Sequence, residues 1–70
     1  MNEALYKVIV KTDDMTLAGL FDMLRYDRAQ VHDWTYGAGD AFIVTVKRTD
    51  GFPVTTERWH SFGLYPREVR

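Results

Sequence analysis

The chain contains no cysteine. That excludes a disulfide framework and a thiolate metal cage, and it favours a reducing compartment. Two prolines and five glycines are scattered as punctuation, with no linker, repeat or low-complexity tract, so one domain is expected over residues 1–70. No apolar stretch approaches the ~20 residues of a membrane span. Met1-Asn2-Glu3-Ala4 lacks the basic and apolar regions of a secretory leader. The expectation is a cytoplasmic chain with no membrane partner. Charge of one sign is also missing: nine Lys/Arg face ten Asp/Glu, a formal net of -1. Unselective binding to nucleic-acid phosphates is therefore not the default.

Hydrophobic residues make up 46% of the chain and aromatics 14%, too much for a disordered tail. Below roughly 70–80 residues a single core supplies only about 3–5 kcal/mol without a staple. The two Trp, four Tyr and four Phe are expected to compensate by burial, or self-association is expected to help.

Hydrophobic periodicity organises the chain. Leu5–Thr12 reads as a strand, with Tyr6, Val8 and Val10 alternating with Lys7, Ile9 and Lys11. Asp13-Asp14 offers a helix cap. Met15–Arg28 reads as a helix with Leu17, Leu20, Phe21 and Leu24 as its apolar stripe and with Gly19 packed closely on a sheet. Gln30–Tyr36 and Ala41–Thr49 form a hairpin about the turn at residues 37–40. In the first of these strands, His32, Trp34 and Tyr36 share one face, and Val31, Asp33 and Thr35 the other. The last third reads as a short helix over Thr55–Phe62 in preference to a strand, and Leu64-Tyr65 add a brief final strand. The resulting order, β-α-β-β-α(-β), predicts an α+β fold. It is a truncated ferredoxin-like unit: an antiparallel sheet with helices on one face and the other face open.

The residues that could carry catalysis are dispersed. Ser61 is the single serine, and the adjacent His60 is badly placed as its base because neighbours along an element point apart. His32 and His60, with Asp13, Asp14, Asp33 and Asp40, match no standard metal-ligand spacing. Gly37-Ala38-Gly39 feeds a strand rather than a helix N-terminus, so a hairpin turn is expected there and not a phosphate cradle. The reading is a non-enzyme with no cofactor and no metal. Gly39-Asp40-Ala41-Phe42-Ile43-Val44 loosely follows an RNA-binding pattern, but Asp40 and Thr45 stand where stacking aromatics belong. A small single-stranded nucleic-acid-binding module is thus the alternative, as is a structural subunit of a homo-oligomer.

Residues 1–46 lean acidic and residues 47–70 lean basic, an asymmetry that suits a polarised partner. Arg and Tyr near a helix C-terminus are residue types enriched in interface hot spots. The expected partner contacts are Arg25, Tyr26, Asp27, Arg28, Trp59 and Tyr65, and a homodimer also fits the size.

The runs Asp22-Met23-Leu24-Arg25-Tyr26-Asp27 and Arg58-Trp59-His60-Ser61-Phe62-Gly63 resemble short phage- and prophage-encoded accessory proteins of the anti-CRISPR type. The resemblance covers about a fifth of the chain. It implies a phage-borne inhibitor or modulator that occludes a bacterial protein complex in the host cytoplasm. It transfers no set of functional residues.

Overall fold

In the computed structural model, residues 4–69 are described. The elements follow in the order β1 (Tyr6–Lys11), α1 (Asp14–Tyr26), β2 (Ala29–Tyr36), β3 (Ala41–Arg48), α2 (Thr56–His60) and β4 (Arg67–Glu68). The sheet order is β2-β3-β1-β4, with every neighbouring pair antiparallel. This is the expected α+β fold, a ferredoxin-like unit with a short second helix and a two-residue last strand. That strand follows Pro66 instead of occupying Leu64-Tyr65. Leu64 is fully buried in the core, and its N–H donates to the Trp59 carbonyl at 3.1 Å, at the end of α2, instead of to a strand.

β1 buries Tyr6, Val8 and Val10 and exposes Lys7, Ile9 and Lys11, because alternate side chains leave opposite faces of a strand. Its lysines mark an open face and not an edge, for β1 lies inside the sheet. Register Val8↔Val44 and Tyr6↔Val46 stacks the buried valines of β1 and β3 under α1. The core is completed by Leu20, Met23, Val54, Trp59 and Leu64.

Asp13 caps α1: its carboxylate accepts the Thr16 N–H at 2.8 Å and the Thr16 hydroxyl at 3.0 Å. These bonds hold the Asp13 carboxyl below the usual carboxylate range. The buried face of the helix is Gly19, Leu20 and Met23, so Phe21, expected inside, is 60% exposed. A Cβ at Gly19 would lie 3.0 Å from the Phe62 side chain. The glycine therefore admits the tail of α2, not the sheet. Burial of aromatics is likewise narrower than expected: Trp59 and Tyr6 are interior, while Phe21, Tyr26, Trp34, Tyr36, Phe52, Phe62 and Tyr65 are exposed.

The hairpin carries one irregularity. Val31 pairs with Val46 and Asp33 with Thr45, leaving His32 as an extra residue. A bulge of this kind inverts side-chain parity beyond it. Val31 thus joins Trp34 and Tyr36 on the helix side, and Asp33 and Thr35 take the open side. The unbroken alternation expected from sequence is corrected accordingly.

Candidate functional site

Of the six residues expected to touch a partner, two are interior. Asp27 is 1% exposed and Trp59 0%, so neither offers surface to a partner. Asp27 stands at the C-cap of α1. Its Oδ2 accepts the Thr55 backbone N–H at 2.7 Å and the Trp59 indole N–H at 2.6 Å. One carboxylate oxygen therefore ties the end of α1 to the start of α2, which satisfies the rule that buried polar groups are hydrogen-bonded. The other four, Arg25, Tyr26, Arg28 and Tyr65, lie at the surface. Arg25 pairs with Asp22 within its own helix at 3.0 Å. Arg28 takes a left-handed backbone conformation, φ 50°, and its carbonyl accepts from the Thr49 N–H and hydroxyl. Tyr26 meets Arg58, whose guanidinium sits 4.5 Å from the ring centroid and donates to the phenol oxygen at 3.1 Å. Tyr65 stacks on His60, centroids 4.8 Å apart.

The bulge assembles a surface that the sequence reading missed. Trp34, Tyr36 and Phe42 form a ring cluster with centroid separations of 5.3, 5.5 and 5.7 Å. Trp34 contacts both other rings edge-on, an arrangement that aromatic quadrupoles favour. Beside the cluster runs a groove between α1 and β2, walled by Val10, Leu17, Leu20, Val31, Trp34 and Phe42. Among the described residues no polar side chain lines it. Trp34 is 52% exposed and Tyr36 76%. Phe21 stands one turn along α1 from Leu17, on the same flank. Half-exposed aromatic rings beside an apolar groove make this the candidate contact surface. The aromatic spacing in β2 was visible beforehand; the shift that moves Val31 beside Trp34 was not.

The opposite face of the sheet has another character. Register places Lys7 beside Arg67 and Thr45, and Lys47 beside Gln30. Lys7, Lys11, Lys47 and Arg67 therefore share the open face with Asp33. Ile9, Ile43 and Tyr65, with Lys7, Arg67, Glu68 and Val69, line a depression near β4.

The residues considered for chemistry are engaged locally. Ser61 donates its hydroxyl to the Arg58 carbonyl at 2.6 Å, and the ring of His60 lies against Tyr65. Among the described residues no three His, Asp or Glu side chains converge on a point that could hold a metal. No helix among them is long and apolar enough to cross a membrane. The chain matches no protein-family model, no curated protein and no solved structure.

Proposed function

We propose that this chain is a non-catalytic protein-binding module that acts by occlusion, with the groove between α1 and β2 as its contact surface. The observation that carries the reading is the apolar groove itself: walled by aliphatic and aromatic groups, flanked by the Trp34, Tyr36 and Phe42 rings, and open to solvent. Such a surface suits an apolar anchor from a target, and aromatic anchors of this kind dominate interface energetics. The resemblance to short phage accessory proteins supplies the class of target, a bacterial protein complex.

The test is capture from a bacterial lysate on the immobilised chain, read by mass spectrometry and followed by affinity measurement on the protein recovered. Trp34→Lys and Phe21→Lys are expected to weaken that affinity by about 2 kcal/mol or more; Trp34→Lys also gives up two edge-on ring contacts and lowers the melting temperature, so affinities are compared where circular dichroism shows each variant folded. Arg25→Ala, away from the groove, is expected to leave it intact. Retained affinity in both lysine variants would remove the groove from the reading.

A second reading rests on the lysines and Arg67 of the open face, which favour a polyanion such as single-stranded nucleic acid. It predicts oligonucleotide binding that falls steeply with salt and is lost in Lys7→Glu/Lys11→Glu. A flat titration at low salt eliminates it.

A further inference from the structure

We propose that β2 is the seam of a symmetric homodimer, in which two copies join their β2 edges antiparallel into one eight-stranded sheet. The seam runs along the free edge of β2 and shares Val31 and Trp34 with the wall of the groove, so its test is made at residues 30, 32, 33 and 35, outside that wall.

The hydrogen-bond direction along β2 comes first. Gly37 donates to Ala41, and Thr49 donates to Arg28. In an antiparallel ladder bonded and non-bonded pairs alternate. Counting inward from both ends, Gln30 and Thr35 turn their backbone groups towards β3. Ala29, Val31, Trp34 and Tyr36 turn theirs towards the free edge. The Trp34 N–H confirms this, since it bonds the Asp33 carboxylate at 2.8 Å and not β3. The same four residues carry their side chains on the helix side.

A two-fold axis perpendicular to the sheet keeps each face on its own side. It requires outward-facing residues of one copy to meet outward-facing residues of the other. An unbulged strand meets this condition only when paired residues share parity. Here the extra residue His32 inverts parity halfway, and one register satisfies every position at once. It sets Ala29 opposite Tyr36, Val31 opposite Trp34 and Gln30 opposite Thr35, with the axis between His32 and Asp33. Both strands carry the same extra residue at the same level, so the spacing of the flanking pairs stays matched.

The side chains agree with that register. His32 of each copy faces Asp33 of the other, an imidazole donor against a carboxylate, twice over. Val31 packs on Trp34, also twice, a β-branched and aromatic cross-strand pair of the stabilising kind. An edge strand that must stay single is ordinarily guarded by lysine, proline, a charge or a bulge. Ala29–Tyr36 contains no lysine and no proline, and every residue from Gln30 to Tyr36 is exposed; its bulge and Asp33 lie at the axis, where the symmetric register sets each against the same feature of the second copy. On pairing, the Trp34 N–H passes from Asp33 to the Val31 carbonyl of the second copy, which frees Asp33 for His32. The two apolar grooves then lie on one face, across the axis from each other.

The absence of cysteine makes the test clean. Residues 30 and 35 would form a non-hydrogen-bonded pair, with Cα atoms about 4.5 Å apart, within disulfide reach. Mild oxidation of the full chain carrying Gln30→Cys with Thr35→Cys is expected to give a covalent dimer. Either single variant should give none above background, and light scattering on the unmodified chain should report twice the chain mass. His32→Asp sets carboxylates against one another at the axis and is expected to weaken self-association roughly tenfold or more. Adding Asp33→His to it exchanges the pair and restores association. Circular dichroism of each variant reports whether the fold is kept. A monomer at every concentration overturns the proposal. So does a dimer in which the double-cysteine chain fails to cross-link while folded, or in which His32→Asp changes nothing.

Discussion

Asp27 shows how one side chain can look like a contact residue and be something else. In the sequence it stands among Arg25, Tyr26 and Arg28, charged and close to a helix end, which is the profile of an exposed group. In the fold its carboxylate is interior and holds the Thr55 N–H and the Trp59 indole. The pattern was legible; its long-range partner, 32 residues away in sequence, was not, because nothing local announces a bond across two helices. Asp27→Ala is expected to lower stability by about 1–3 kcal/mol for each orphaned donor. Asp27→Asn keeps an oxygen acceptor and should lose less than Asp27→Ala, though still more than nothing, since a charged acceptor makes the stronger bond. Denaturant midpoints of the two variants check the order. Trp59→Phe removes the indole donor while retaining most of the ring, and in an Asp27→Ala background it should cost less than in the native chain. Equal losses in both backgrounds would mean that the two groups do not act as a pair.

At the scale of elements, the parts set by periodicity and turn chemistry were readable in advance. β1, α1 and the hairpin follow from alternation, the Asp13 cap and the turn at residues 37–40. Element order and sheet class followed from them. The short α2 was also readable, expected over Thr55–Phe62 and found at Thr56–His60; its tie to Asp27 was not. Two elements escaped the pattern. The β2 bulge lies in a strand whose residues are exposed on both faces, so no break in hydrophobic pattern betrays it. β4 has two residues and no pattern of its own. The junction between α1 and β2 carries a testable cost. Arg28 adopts φ 50°, a region that penalises a residue bearing Cβ by about 1–2 kcal/mol. Its C=O bonds Thr49 through the backbone alone, so glycine would keep that contact. Arg28→Gly is therefore expected to raise the melting temperature, even though glycine loses more chain entropy on folding. A fall in melting temperature would show that the arginine side chain contributes more than the backbone conformation costs.

For the whole molecule, the titrating groups define a pH range of stability. The Thr16 amide and hydroxyl hold Asp13 low, and hydrogen bonding to the Arg48 guanidinium, at 2.9 Å from Nε, holds Asp50 low. A carboxyl depressed by folding stabilises the folded chain above its unfolded pKa, and that contribution is lost as pH falls through the folded value. Stability should decline below about pH 4. At the other end, burial and the nearby charge of Glu68 push the Tyr6 phenol up, a bond to the Val54 backbone opposing them. A phenol raised by folding favours the folded chain below its unfolded pKa and loses that contribution as pH rises through the folded value. A second decline should begin above about pH 10. Thermal melts across pH check both limbs. Asp13→Asn with Asp50→Asn should flatten the acid limb, and Tyr6→Phe the alkaline one. An acid limb unchanged by the double substitution would place its origin in other carboxylates.

The position of β1 inside the sheet has a consequence for synthesis. β1 leaves the ribosome first, yet its two neighbours are β3 and β4, which emerge later. Until residues 41–48 have followed, Val8 and Val10 belong to a nascent strand with both edges open and α1 alone to shelter it. The growing polypeptide therefore passes through a stage that invites chaperones or stray association, and closure of the sheet waits upon translation of its final third.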